Sequence, residues 1–241
     1  FSYSTPFFFL AAALFLTLIF FLFFFQETSH ERKKVGKLHP FKGVALTIQA
    51  YKTPEARVGF TIWTLFIGGW ALFLQFLPLF LIINHGYTTA TVGPLLAFMG
   101  GTFALTQIFI SRWFFKRFKP QHILIVALII PWFAVLLMTF STQWWVFHLG
   151  AFLFPFSMGF VLPAFMALLI GLGESSQHGL RVGQAQSIQS LMTIIVTLLG
   201  GRLLAWWGLS TSIIGFTAML LAFLMFLWFY MRNFYRSTKA V

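Results

Sequence analysis

The sequence contains no cysteine. That excludes disulfides, thiolate metal sites and cysteine nucleophiles. Acids are almost as scarce: four glutamates, Glu27, Glu31, Glu55 and Glu174, in 241 residues. All four fall between apolar stretches, so paired-carboxylate chemistry has no material inside those stretches. No His-Glu-x-x-His, Gly-x-Ser-x-Gly or other catalytic motif is present. An enzyme is not expected, and neither a cofactor nor a metal site is expected. Charged residues of both signs reach only 8%, against about 25% in an ordinary soluble domain. A soluble fold built from this chain would have little to show to water.

What fills the sequence is hydrocarbon. Hydrophobic residues make up 59%, with 35 phenylalanines, and mean hydropathy is +0.89. Charge is missing from Phe1 to Gln26, from Val58 to Ser111 and from Pro120 to Gly173. A bilayer core needs about 20 apolar residues per helix, so each of the two later stretches holds two crossings. A charge at the bilayer centre costs roughly 2.5–3.5 kcal/mol, which accounts for the gaps.

Seven apolar runs follow: about 6–25, 59–83, 91–111, 122–140, 144–172, 184–204 and 210–231. A lone span must satisfy its own backbone, so each is expected to be helical. The first lacks a charged leader and a small-residue cleavage site and is too long for a signal sequence. It reads as a true span, and the chain, which starts at Phe1, as a fragment.

The net charge is +12, and so basic a chain can signal nucleic acid. The cations lie only between the apolar runs, where lipid headgroups and membrane orientation account for them, so no nucleic-acid partner is expected. Seven sit in 26–57, four in the hairpin after the third run (Arg112, Lys116, Arg117, Lys119), one after the fifth (Arg181) and three in the C-terminal tail. Only Arg202 falls on the other side. Positive residues mark the cytoplasmic face, so the N-terminus is expected outside and the C-terminus inside, in a cytoplasmic (inner) membrane. The segment 26–57 reads as a basic linker. Within it, His39–Lys52 suits a short surface helix with Phe41, Ala45, Leu46 and Ile48 on its apolar side, or else a disordered linker on anionic lipid.

One span, a long basic loop and six spans with short hairpins resemble the sixth to twelfth helices of a major facilitator superfamily transporter. Three stretches carry the resemblance. Residues 93–98 through Ser111-Arg112-Trp113-Phe114-Phe115-Lys116-Arg117-Phe118-Lys119 stand where the family repeats its Gly-Arg-x-x-Asp-Arg-x-Gly-Arg-Arg loop, with Ser111 in place of the leading Gly and Phe115 where an acid is common. Arg181-Val182-Gly183-Gln184-Ala185-Gln186 through Leu191 looks like the start of the eleventh helix in drug-antiporter-like members, and Gly200-Gly201 with Trp206-Trp207-Gly208 like its far end. The expected fold is an all-α membrane protein of seven transmembrane helices: 1–25 left from an N-terminal half, 26–57 as linker, and 58–241 as a six-helix bundle resembling a C-terminal half. The implied function is secondary active transport of a small, apolar or cationic, drug-like solute by alternating access, with proton-coupled efflux as the finer expectation. The partners are the solute, the bilayer and the N-terminal half of the same protein. The alternative is a non-transporting polytopic protein, such as a receptor or assembly scaffold.

A polar amide inside a span should face protein or an aqueous path. This selects Gln75, Gln107, Gln186 and Gln189 as solute-facing. Gln186 and Gln189 share a helix face with Ser190. Trp70, Phe98, Phe156 and Met158 are the mid-span aromatic or soft residues that would join them, against a default in which they pack or face lipid. Arg112, Lys116 and Arg117 are candidates for a gate latch, against simple topogenic anchoring. Pro155 and Pro163 bracket Ser157-Met158-Gly159 and would kink the fifth span, as a hinge or as a static bend. Gly68-Gly69, Gly100-Gly101 and Gly200-Gly201 would let helices approach closely.

Overall fold

A computed structural model describes residues 5–24, 42–52, 54–171, 177–207 and 211–238. The chain divides into two compact units, residues 1–39 and 40–241. The first contains α1 (Thr5–Phe24), a 20-residue helix with every described side chain exposed. Phe7, Phe20 and Leu22 stand among its outward residues. Such a surface is stable only in hydrocarbon or against other protein.

The second unit is a bundle. Its elements are α2 (Lys42–Lys52), α3 (Pro54–His85), α4 (Thr89–Leu105), a π turn (Thr106–Ile110), α5 (Ser111–Arg117), α6 (Pro120–Phe140), α7 (Trp144–Gly171), α8 (His178–Trp207) and α9 (Thr211–Thr238). α4, the π turn and α5 form one continuous rod, Thr89–Arg117. Counting α1, six helices among the described residues are long and apolar enough to cross a membrane. α9 is a seventh apolar helix of 28 residues, about 42 Å long at 1.5 Å per residue. The protein is therefore an all-α integral membrane protein.

Local chemistry sets the breaks. Pro54 and Pro120 open α3 and α6, where a missing N–H and a fixed φ cost nothing. Gly86 ends α3 at φ +64°, a left-handed conformation that a Cβ would penalise. Thr88 caps α4: its N–H donates to Thr91 Oγ1 at 2.9 Å. Pro155 and Pro163 leave α7 helical from end to end. Pro155 is buried and Pro163 half-buried.

The core is aromatic and lies among α3, α6, α7 and α9. Phe60, Trp63, Phe66, Phe154 and Phe165 are essentially fully buried. The ring of Trp63 meets Phe165 edge-on at 5.2 Å, and its indole N–H donates to the Ala185 carbonyl at 3.1 Å, tying α3 to α8. Gly69 and Gly215 let α3 and α9 touch backbone to backbone. A Cβ at Gly69 would stand 2.5 Å from the Gly215 carbonyl oxygen. Gly200 is closed off by the Phe76 ring, whereas Gly100, Gly101 and Gly201 have open space beside them. Of the three glycine pairs, one member each of two pairs serves close packing within this bundle.

α2 packs against α3 and α8. Its Tyr51 hydroxyl bonds to the Thr64 hydroxyl, and Arg57 Nε donates to the Tyr51 carbonyl at 2.9 Å. Ala50 is the buried contact, while Val44 and Ile48 remain exposed. Ala45 is exposed and Leu46 half-buried. Phe41 and Thr53 lie outside the described residues.

Candidate functional site

The helices bring polar and aromatic groups together in separate places rather than in one. The short hairpins give the bundle a basic end, where α3, α6 and α8 begin, and a nearly neutral end, where α4 and α7 begin and Arg202 is the one cation among the described residues.

At the basic end Arg181 is 3% exposed and Gln184 is 1% exposed. The guanidinium lies 5.9 Å over the Phe60 ring. One of its terminal nitrogens reaches Gln177 Oε1 at 3.5 Å. Arg181 Nε and Gln184 Oε1 have no hydrogen-bond partner among the described residues. A buried guanidinium is strongly unfavourable unless acceptors meet it, so Arg181 is a strong attractor of an acceptor, above all a carboxylate or phosphate. By charge placement alone Arg181 counts only among the orienting cations. The signal was present in the spacing: Gln177, Arg181 and Gln184 fall at i, i+4, i+7 on one helix face.

A second cluster joins α2 to α8. Gly43, Thr47, Gln186, Ser187 and Ser190 line a cavity of about 320 Å³. Gln186 and Ser190 share it as their spacing predicts. Gln189 is not part of its lining and sits half-buried one step round the helix.

The neutral end holds a cavity of about 690 Å³, lined by His85, Tyr87, Thr91, Pro94, Phe98 and His148 among others. His148 Nδ1 donates to the Trp144 carbonyl at 2.7 Å. Its Nε2 lies 3.4 Å from the Tyr87 hydroxyl. Burial raises the Tyr87 pKa, so the phenol stays protonated and remains a donor. The ring of His85 packs 4.7 Å from Phe147. Phe98 is thus the single member of the expected aromatic set found here; Tyr87 and the two histidines complete it.

The remaining candidates are dispersed. Trp70 is half-buried against the core. Met158, 2% exposed, is part of the core itself and packs rather than faces a path. Gln107 is exposed on the π turn, a rare helical form common at functional sites. The turn lies where α7 comes closest: a Cβ at Gly159 would stand 2.8 Å from Thr106 and 3.2 Å from Gln107 N. Phe156 lines an apolar groove with Phe114, Phe160 and residues of α6. Arg112, Lys116 and Arg117 are exposed. Arg117 stacks on Trp113 at 4.2 Å, so the α5 end is ordered by an aromatic ring as well as by its hairpin. Gln75 is exposed midway along α3 and makes no hydrogen bond among the described residues, although the helix around it is largely buried.

A family model described as "Major Facilitator Superfamily" matches residues 1–167. The chain belongs to the Major Facilitator Superfamily. No curated protein matches it. Among solved structures it is similar to the human organic anion transporter MFSD10 (TETRAN), with a TM-score of 0.63 at 19% identity. That match covers 76% of this chain and 46% of the other, so the chain spans about half the length of that transporter.

Proposed function

We propose that this chain is the C-terminal half of a secondary active transporter, which moves a small amphipathic solute by alternating access against an N-terminal half. Gln75 carries the reading. An exposed, unpaired amide in mid-span is costly in lipid, and a facing half or an aqueous path relieves that cost. Gln107 on the α4–α5 rod is exposed as well, and Gln186 is exposed nearer the basic end of α8. With Phe98 and Trp70 they give this half neutral recognition by aromatic faces and amides. The basic end then faces the cytoplasm of an inner membrane.

The finer reading is proton-coupled efflux of drug-like compounds. All four glutamates lie outside the apolar runs, so the coupling group is a carboxylate of the other half or a histidine. The similar transporter's solutes are organic anions; recognition by rings and amides suits either sign of charge, and the N-terminal half then sets it. The test is flux in proteoliposomes of the full-length protein under an imposed pH gradient, with aromatic anions and cations as competing solutes. Gradient-driven flux that stops when the carboxylates of the other half or the histidines are removed supports the coupling. Flux that survives removal of both sinks it. Saturable solute binding with no flux in either direction favours the receptor or scaffold alternative.

A further inference from the structure

The apolar groove at the basic end is built differently from the two polar cavities. It holds about 420 Å³. Ile123 and Ala127 form its floor and are buried, while Val126 and Phe118, 58% and 50% exposed, form outward walls. Phe114 stands edge-on to Phe160 at 5.2 Å, and Phe160 to Phe156 at 5.4 Å, so aromatic contacts fix the far wall. From His122 to Ile130 the groove follows α6 for about 12 Å. It therefore begins at the end of the bundle and descends into the span. Its length and volume suit a stretch of one acyl chain in single file.

Its mouth is cationic. Lys116, Arg117 and Lys119 flank Phe118 and make no ion pair among the described residues. Arg117 is held against Trp113. His122, at the lip, bonds the Tyr230 hydroxyl at 2.9 Å, which fixes α6 to α9 there. An outward hydrocarbon slot along a spanning helix, with exposed cations beside the lining residue Phe118, matches one ligand chemistry. We infer that the groove between α5, α6 and α7 binds an anionic phospholipid, with one acyl chain along α6 and the phosphate at the Lys116–Lys119 rim. The inference does not depend on transport.

The test uses full-length protein in detergent, offered equal amounts of phosphatidylglycerol and phosphatidylcholine of identical chains, with bound lipid read by native mass spectrometry. Phosphatidylglycerol is expected to be retained at least about tenfold over phosphatidylcholine. The double variant K116Q/K119Q should bring that preference close to unity, since one cation at an anionic surface is worth about 1 kcal/mol, or roughly fivefold. Val126→Trp, which fills the slot from an exposed position, should lose bound lipid of both kinds with an unchanged melting temperature. If it does not reach the membrane, Ile130→Trp one turn deeper repeats the test. Equal retention of the two lipids overturns the proposal. So does displacement by glycerol phosphate, which would mean a headgroup site without the groove. Unchanged lipid binding in both tryptophan variants overturns it too, as does a dimer mass that these variants abolish, which would give the groove to a second copy.

Discussion

α3 and α7 differ from the α4–α5 rod and α8 more than their composition suggests. All four are apolar enough to span a bilayer, yet the buried share is 50% and 56% for α3 and α7, and 17% and 22% for the rod and α8. The first pair is locked into an aromatic core. The second leaves most of its surface to something else. Polar residues follow that division: Gln107 and Gln186 are exposed on the second pair, whereas Gln75 is an exception on the first. α6, 44% buried, sides with the first pair.

Glycine gives the largest test of this contrast. Gly69→Val drives a side chain into the Gly215 backbone, where neither helix can yield. It should cost about 3 kcal/mol or more and abolish a cooperative melt in detergent. Gly100→Val, on the open rod, should leave the melt unchanged and slow flux if that face meets the other half. Equal effects of the two substitutions on folding would erase the contrast.

Arg181→Met comes next. Replacing a buried charge by an apolar residue of similar size is often neutral or stabilising by about 1–4 kcal/mol. The variant is expected to melt no lower than the parent and to transport at least tenfold more slowly. A variant that melts lower and transports normally would make Arg181 a structural ion. Gln75→Leu should leave stability within about 0.5 kcal/mol, as for an exposed site, and change solute KM several-fold; an unchanged KM removes Gln75 from the path. The smallest effect belongs to Trp113→Ala, which loses the stacked Arg117. It should cost about 0.5–1 kcal/mol in a melt and barely alter flux, unless the α5 end works as a latch.

The fold was largely legible in the sequence because the bilayer leaves the backbone so few options. The apolar runs located the helices: Pro120–Phe140 and Trp144–Gly171 lie almost where hydropathy put them, whereas α8 begins six residues before its run and α9 ends seven residues beyond its own, because polar residues extend a helix that hydropathy does not see. The site was less legible. Amphipathic period is a poor guide where both lipid and core are apolar, so Met158 and Phe156, two residues apart, could not be told apart as core and groove wall. Nor could composition foresee the π turn at Thr106–Ile110, which depends on the contact between α4 and α7.

Hydropathy and charge placement by themselves determined that this chain lives in a membrane, how many apolar helices it has, and which end carries the cations. Water and lipid discriminate among residues one at a time, so that information is local. Tertiary structure alone decided which glycines bear helix contacts, that Arg181 is buried over Phe60 rather than solvated, and that Tyr87 meets His148 across 61 positions of sequence. Those outcomes depend on which helix faces meet, and one apolar face looks much like another until its neighbour is in place.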